Sequence, residues 1–122
     1  MFFPVSGWFA AFVLTLVVEL PIAAWLLRRV EPDVVRRVVL IGYANLATHL
    51  AVWYVFSQLF LIGTIQYVVA AEAWAIGGEA AFFLVAFRGL RPEAAFGVAL
   101  VANVVSFAIG RIVEGISPEV FR

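Results

Sequence analysis

Two glutamates, Glu19 and Glu79, stand inside long apolar runs of this chain, each nine residues before an arginine, Arg28 and Arg88. Carboxyls in such surroundings bind a cation, pass a proton or hydrogen-bond a neighbouring helix. At roughly 2.5 to 3.5 kcal/mol of insertion cost they should face a bundle interior or water. Asn45 lies eight residues from Arg37, and Asn103 ten beyond Glu93. At the helical rise per residue, Glu19, Glu79 and Asn45 all come roughly 12 to 14 Å inside the nearest arginine. Four polar groups therefore share one layer, a Glu and an Asn from each half of the chain, with Thr48 and Ser106 three residues past the asparagines. These residues are the candidates for a substrate or ion path.

Pro21 follows Glu19 by two and withholds the N–H that the Val17 carbonyl would accept, and Gly77 and Gly78 precede Glu79. Both acids thus sit where a helix can kink or break. Broken helices beside midplane charges build ion and substrate sites, although a static bend and close helix packing explain the same residues. His49, the only histidine, is one turn beyond Asn45 on the same face. It suits a proton relay or a ligand, or else a buried imidazole bonded to a glutamate or a backbone carbonyl. One histidine cannot supply both axial ligands of a haem within one chain. Glu72 is two turns from Glu79, and Arg111, eight residues beyond Asn103, reaches a similar height. We expect Glu72 and Arg111 to pair and tie the third helix to the fourth. The alternative makes Glu72 the outer step of a polar column through His49 to Glu79 and Glu19.

The elements that position these groups follow from composition. Of the 122 residues, 66% are hydrophobic and 13% charged, against roughly 25% charged in a soluble domain. This is the composition of a membrane protein. Each spanning helix needs about 20 apolar residues, and segments of about 6–27, 38–57, 62–87 and 94–113 meet that length. Four segments are too few for a closed barrel, so they are helices. The fold class expected is an all-α, four-span, up-down-up-down bundle forming a single transmembrane domain over 1–122, with a short tail at 114–122. Asp33 and Glu93, each after a proline, mark the starts of the second and fourth helices. The N-terminal stretch carries no positive charge before its apolar run and reads as a retained first span, not a signal peptide.

Orientation follows from the arginines. Arg28, Arg29, Arg36 and Arg37 lie in the first connection and Arg88 and Arg91 in the third, leaving only Arg111 and Arg122 elsewhere. The positive-inside rule puts those two connections in the cytoplasm and both termini outside, with Trp8, Trp53, Tyr54 and Tyr67 near the outer interface.

The chain also repeats. Glu19, Arg28, Pro32 and Asp33 recur as Glu79, Arg88, Pro92 and Glu93, and after a gap of two residues Ala44, Asn45 and Thr48 recur as Ala102, Asn103 and Ser106. Each copy is one helical hairpin, about 6–57 and about 62–113. Two hairpins of like direction are related by an axis along the membrane normal.

Cysteine is absent, which excludes disulfides, thiolate metal sites and thiol-based four-helix membrane oxidoreductases. With net charge zero and no lysine, nothing suggests nucleic acid. No P-loop, dinucleotide fingerprint, nucleophile elbow or zinc motif occurs, so we expect neither an enzyme nor a cofactor. Glu19-Leu20-Pro21 followed by Asn45-Leu46-Ala47-Thr48-His49 resembles a pattern in small four-span bacterial inner-membrane proteins of uncharacterised function, in which a proline commonly follows the histidine; here Leu50 stands there. The resemblance implies a bacterial inner membrane and a four-helix bundle, and no activity. Two functions are expected. The first is an accessory or structural subunit whose partners are membrane lipids and other membrane subunits or a second copy. The alternative is a small cation- or proton-coupled transporter or channel using the Glu19/Glu79 and Asn45/Asn103 layer.

Overall fold

A computed structural model describes residues 5–121, without the side chains of residues 5 and 6; Arg122, counted above for orientation, lies outside the described residues. Four helices make up the chain: α1 (Val5–Leu26), α2 (Val34–Leu59), α3 (Ile65–Ala86) and α4 (Pro92–Ile116). Each is long and apolar enough to cross a membrane, so the protein is multi-pass. The α1–α2 and α3–α4 turns share one end of the bundle, which we call the arginine-rich end; the α2–α3 turn lies at the opposite end.

Each turn has a local cause. Asp33 caps α2 by accepting from the Arg36 N–H at 3.1 Å, which satisfies a donor left over at a helix start. Glu31 reinforces the turn, pairing with Arg36 at 3.2 Å and accepting from the Arg37 guanidinium through its carbonyl. Thr64 caps α3 through the Tyr67 N–H. Pro92 opens α4 with Glu93 in its first turn. Gly63 and Gly89 take φ of 88° and 80°, a region that costs side-chain-bearing residues but not glycine.

The helices form a ring in which α1 packs on α2 and α4, and α3 on α2 and α4. Burial around that ring follows the repeat read from the sequence. Ala23 and Leu27 on α1 are buried, as are Phe83 and Phe87 at the matching positions of α3. Ile41, Ala44, Asn45 and Thr48 on α2 are buried, as are Ala99, Ala102, Asn103 and Ser106 on α4. The bundle is thus two parallel hairpin repeats. Ala23, Leu27, Ile41, Phe83, Phe87, Ala95 and Ala99 fill the arginine-rich half with apolar core. Large residues such as Val17, Val69, Val85 and Val104 point outward, where lipid is as apolar as they are; packing and interhelical hydrogen bonds must therefore hold the helices together.

Several expectations need correction. α2 begins at Val34, directly after Asp33 as marked, so it extends beyond the apolar segment 38–57 at both ends: Arg36 and Arg37 belong to its first turn and not to the connection, and it runs on to Leu59. α4 continues through Ile116, so the expected tail is partly helix, and Pro118–Phe121 forms a short 3-10 turn that packs against α1 and α4. Of the two readings left open at Pro21 and at Gly77 and Gly78, a full break is absent: α1 is helical through Pro21, and α3 through Gly77 and Gly78. The irregularity lies elsewhere, in a π-helical stretch of α2 at Val52–Phe56.

Candidate polar site at the base of a one-ended cavity

Small residues explain why the two halves of the bundle differ. Where the arginine-rich half places Leu27, Phe83 and Phe87 inside, the other half turns Ala11, Ala71, Ala75 and Gly110 inward. The space they leave is a cavity of about 540 Å³ walled by all four helices. Its far end is lined by Ile62, Arg111, Glu114 and Phe121, and its blind end by Glu19, Asn45, Glu79 and Asn103. The apolar core begins one turn below Glu19 and Glu79, at Ala23 and Phe83.

The polar layer is assembled as the spacing suggested. Glu19 and Glu79 are each 2% exposed, Asn45 1% and Asn103 5%. Glu79 is fully partnered: the Asn103 amide donates to its Oε2 at 2.7 Å, and the Thr48 hydroxyl to its Oε1 at 3.3 Å. Asn103 belongs to the same repeat as Glu79 and Thr48 to the other, so this carboxyl joins both halves. Ser106 and Glu79 are neighbours of Glu19, so that Ser106 stands to Glu19 at the position Thr48 holds to Glu79. A hydrogen bond between two carboxyls needs one proton between them, because an ionised carboxylate only accepts.

The symmetry fails at one point. Both asparagines donate back to the carbonyl four residues earlier, Asn45 to Ile41 at 3.1 Å and Asn103 to Ala99 at 2.8 Å. Asn103 also reaches its glutamate; Asn45 does not. Glu19 Oε2 is consequently buried without a hydrogen-bond partner, and Asn45 Oδ1, which can only accept, is a second buried orphan.

His49 lines the cavity wall but bonds to neither glutamate among the described residues. Its ring lies 5.4 Å from that of Phe12, 6.1 Å from Trp53 and 6.2 Å from Trp8, and its polar neighbour is the Trp8 backbone. Its Nε2 is buried without a hydrogen-bond partner. The expected Glu72–Arg111 pair is not formed: Arg111 bonds to Glu114, one turn along its own helix, while Glu72 and Arg111 both line the cavity separately. Pro21, Gly77 and Gly78 lie within continuous helix. At Gly78 a Cβ would come 3.1 Å from the Thr48 methyl, so this glycine lets α2 approach α3 and brings Thr48 to Glu79.

Several wall residues escaped the sequence reading. Thr15 sits one turn before Glu19 on the cavity face, a position its spacing could have revealed. The π stretch gave no local signal, because its displaced carbonyls are met from outside the stretch: Tyr67 donates to Val52 O at 3.3 Å and Ser57 to Trp53 O at 2.6 Å. Among the described residues no three His, Cys, Asp or Glu side chains converge as a metal centre. Comparison with protein-family models, curated proteins and solved structures gave no match for this chain.

Proposed function

We propose that this protein is a small membrane carrier that binds a cation, in exchange for a proton, at the Glu19/Glu79 layer. One observation carries the reading: the cavity reaches that carboxyl pair from one end of the bundle only, and apolar core closes the other. Single-sided access to buried acids is what alternating access requires in one of its two states. The arginine count puts the arginine-rich end in the cytoplasm, so the cavity opens outward and both termini face the outer side, in a bacterial inner membrane if the motif resemblance holds.

A specific observation favours the second reading, an accessory subunit. Ala73, Gly77 and Ala81, spaced four apart on α3, line a groove on the outer face beside Trp74, and small residues at that spacing let helices approach closely in lipid.

One experiment separates the two. Purified chain in proteoliposomes loaded with a sodium or primary ammonium salt, under an imposed proton gradient, should give a cation-dependent proton flux that Glu19→Gln abolishes while the variant remains folded. Wild type with no flux when reconstituted alone would overturn the carrier reading and leave the subunit one.

A further inference from the structure

Resting on the cation reading, we infer that the two carboxyls of the layer have different roles: Glu79 is scaffold, and Glu19 with Asn45 receives a primary ammonium group carried on an apolar body. The asymmetry is geometric. Both oxygens of Glu79 are engaged, by Thr48 and Asn103. Glu19 and Asn45, at 2% and 1% exposure, each keep one oxygen with no partner, and both residues line the blind end of the cavity. Buried polar atoms are nearly always hydrogen-bonded, and an orphan costs about 1 to 3 kcal/mol. Two orphaned acceptors in adjacent helices ask for one group with at least two hydrogens to give.

Charge and size narrow that group. The layer holds two carboxyls and, among the described residues, no arginine, so a positive donor suits it better than a neutral one. A cavity of about 540 Å³ is many times the ~30 Å³ share of one water, far larger than a bare alkali ion fills. Ala11, Leu14, Val68 and Phe107 are among its walls, and pockets that are mostly apolar with a few convergent polar groups hold organic ligands. The N–H requirement excludes quaternary ammonium, which offers charge without donors.

The test uses the full chain in phosphatidylcholine nanodiscs, with protein-free discs subtracting the partitioning of the probe into lipid. Binding of n-hexylammonium, its N,N,N-trimethyl analogue and sodium is read by thermal shift and by tryptophan fluorescence, since Trp53 is in the wall. The primary amine should bind saturably. The trimethyl analogue should bind about tenfold more weakly or worse, because a site built around N–H donors leaves its acceptors bare without them. Glu19→Gln should weaken the primary amine by a similar factor, whereas Glu119→Gln, which removes an acid outside the cavity, should leave binding unchanged. Equal binding of the trimethyl analogue, sodium competing as well as the amine, or full binding by Glu19→Gln each overturns the inference; the analogue comparison needs no variant to fold. Adding phosphatidylethanolamine assigns the source: displacement of the probe supports a lipid headgroup as the donor, and no displacement supports a free amine. Amine binding without flux would sink the carrier reading alone, and flux without amine binding would sink this inference alone.

Discussion

Glu79 depends on Asn103 more than on Thr48. The amide bond at 2.7 Å is short and its donor has no other acceptor than Ala99 O, whereas the Thr48 hydroxyl shares its hydrogen with the carbonyls of Ala44 and Asn45. Asn103→Leu should therefore lower stability in detergent by about 1 to 3 kcal/mol, the cost of stripping a buried acceptor. Thr48→Val should cost under about 1 kcal/mol, near the average for hydrogen bonds between membrane helices. The Glu79→Leu/Asn103→Leu double variant should lose less than Asn103→Leu alone, since the acceptor that Asn103 would leave bare is itself removed. Denaturant titrations of the variants check the ranking; an Asn103 effect no larger than that of Thr48 would remove Glu79 from the scaffold role. At this scale the sequence exposed the whole layer, because rare polar letters in apolar runs have nowhere else to go. It missed the Arg111 pairing, because Glu114 is one turn away on the same helix and needs no tertiary packing to be reached. The inequality of Glu19 and Glu79 was also hidden, since identical letters at matched positions carry no record of which amide swings over.

At the scale of the helices, spans and caps were legible while distortions were not. Asp33 and Pro92 start their helices for reasons that act within four residues. Pro21, Gly77 and Gly78 offered breaks by the same local logic, yet α1 and α3 stay helical through them, while the π stretch has its Val52 carbonyl met by Tyr67 of the next helix. The two glycines make a clean comparison. A side chain at Gly78 meets the Thr48 methyl, while at Gly77 it meets nothing within 4 Å. Gly78→Val should destabilise by about 1 to 3 kcal/mol through overpacking and separate Thr48 from Glu79, whereas Gly77→Val should stay within about 1 kcal/mol, the scale of a glycine's helix cost. Thermal unfolding of the pair in one detergent decides it. Equal losses at the two positions would mean that α2 and α3 do not approach as closely as drawn.

For the whole molecule, the side on which the cavity opens decides which solution can reach the carboxyl pair, and the proposed topology is what would set that side. Six of the eight arginines lie in or beside the two turns at one end, and the positive-inside rule keeps such turns in the cytoplasm. The absence of cysteine means any introduced thiol is the only one in the chain. Glu93→Cys places it on the exposed first turn of α4 at the arginine-rich end, and Glu119→Cys on the exposed 3-10 turn at the other. A membrane-impermeant maleimide added to intact spheroplasts should label Glu119→Cys and leave Glu93→Cys unmodified until the membrane is opened. That pattern would give the cavity access to the outer side, so that its ligand arrives from outside and the Ala23, Leu27, Phe83 and Phe87 layer is the barrier that must part for release inward. Reversed labelling would place the same cavity on the cytoplasmic side and give the carboxyl pair access from the cytoplasm, with the arginines then facing outward against the rule that sets most topologies.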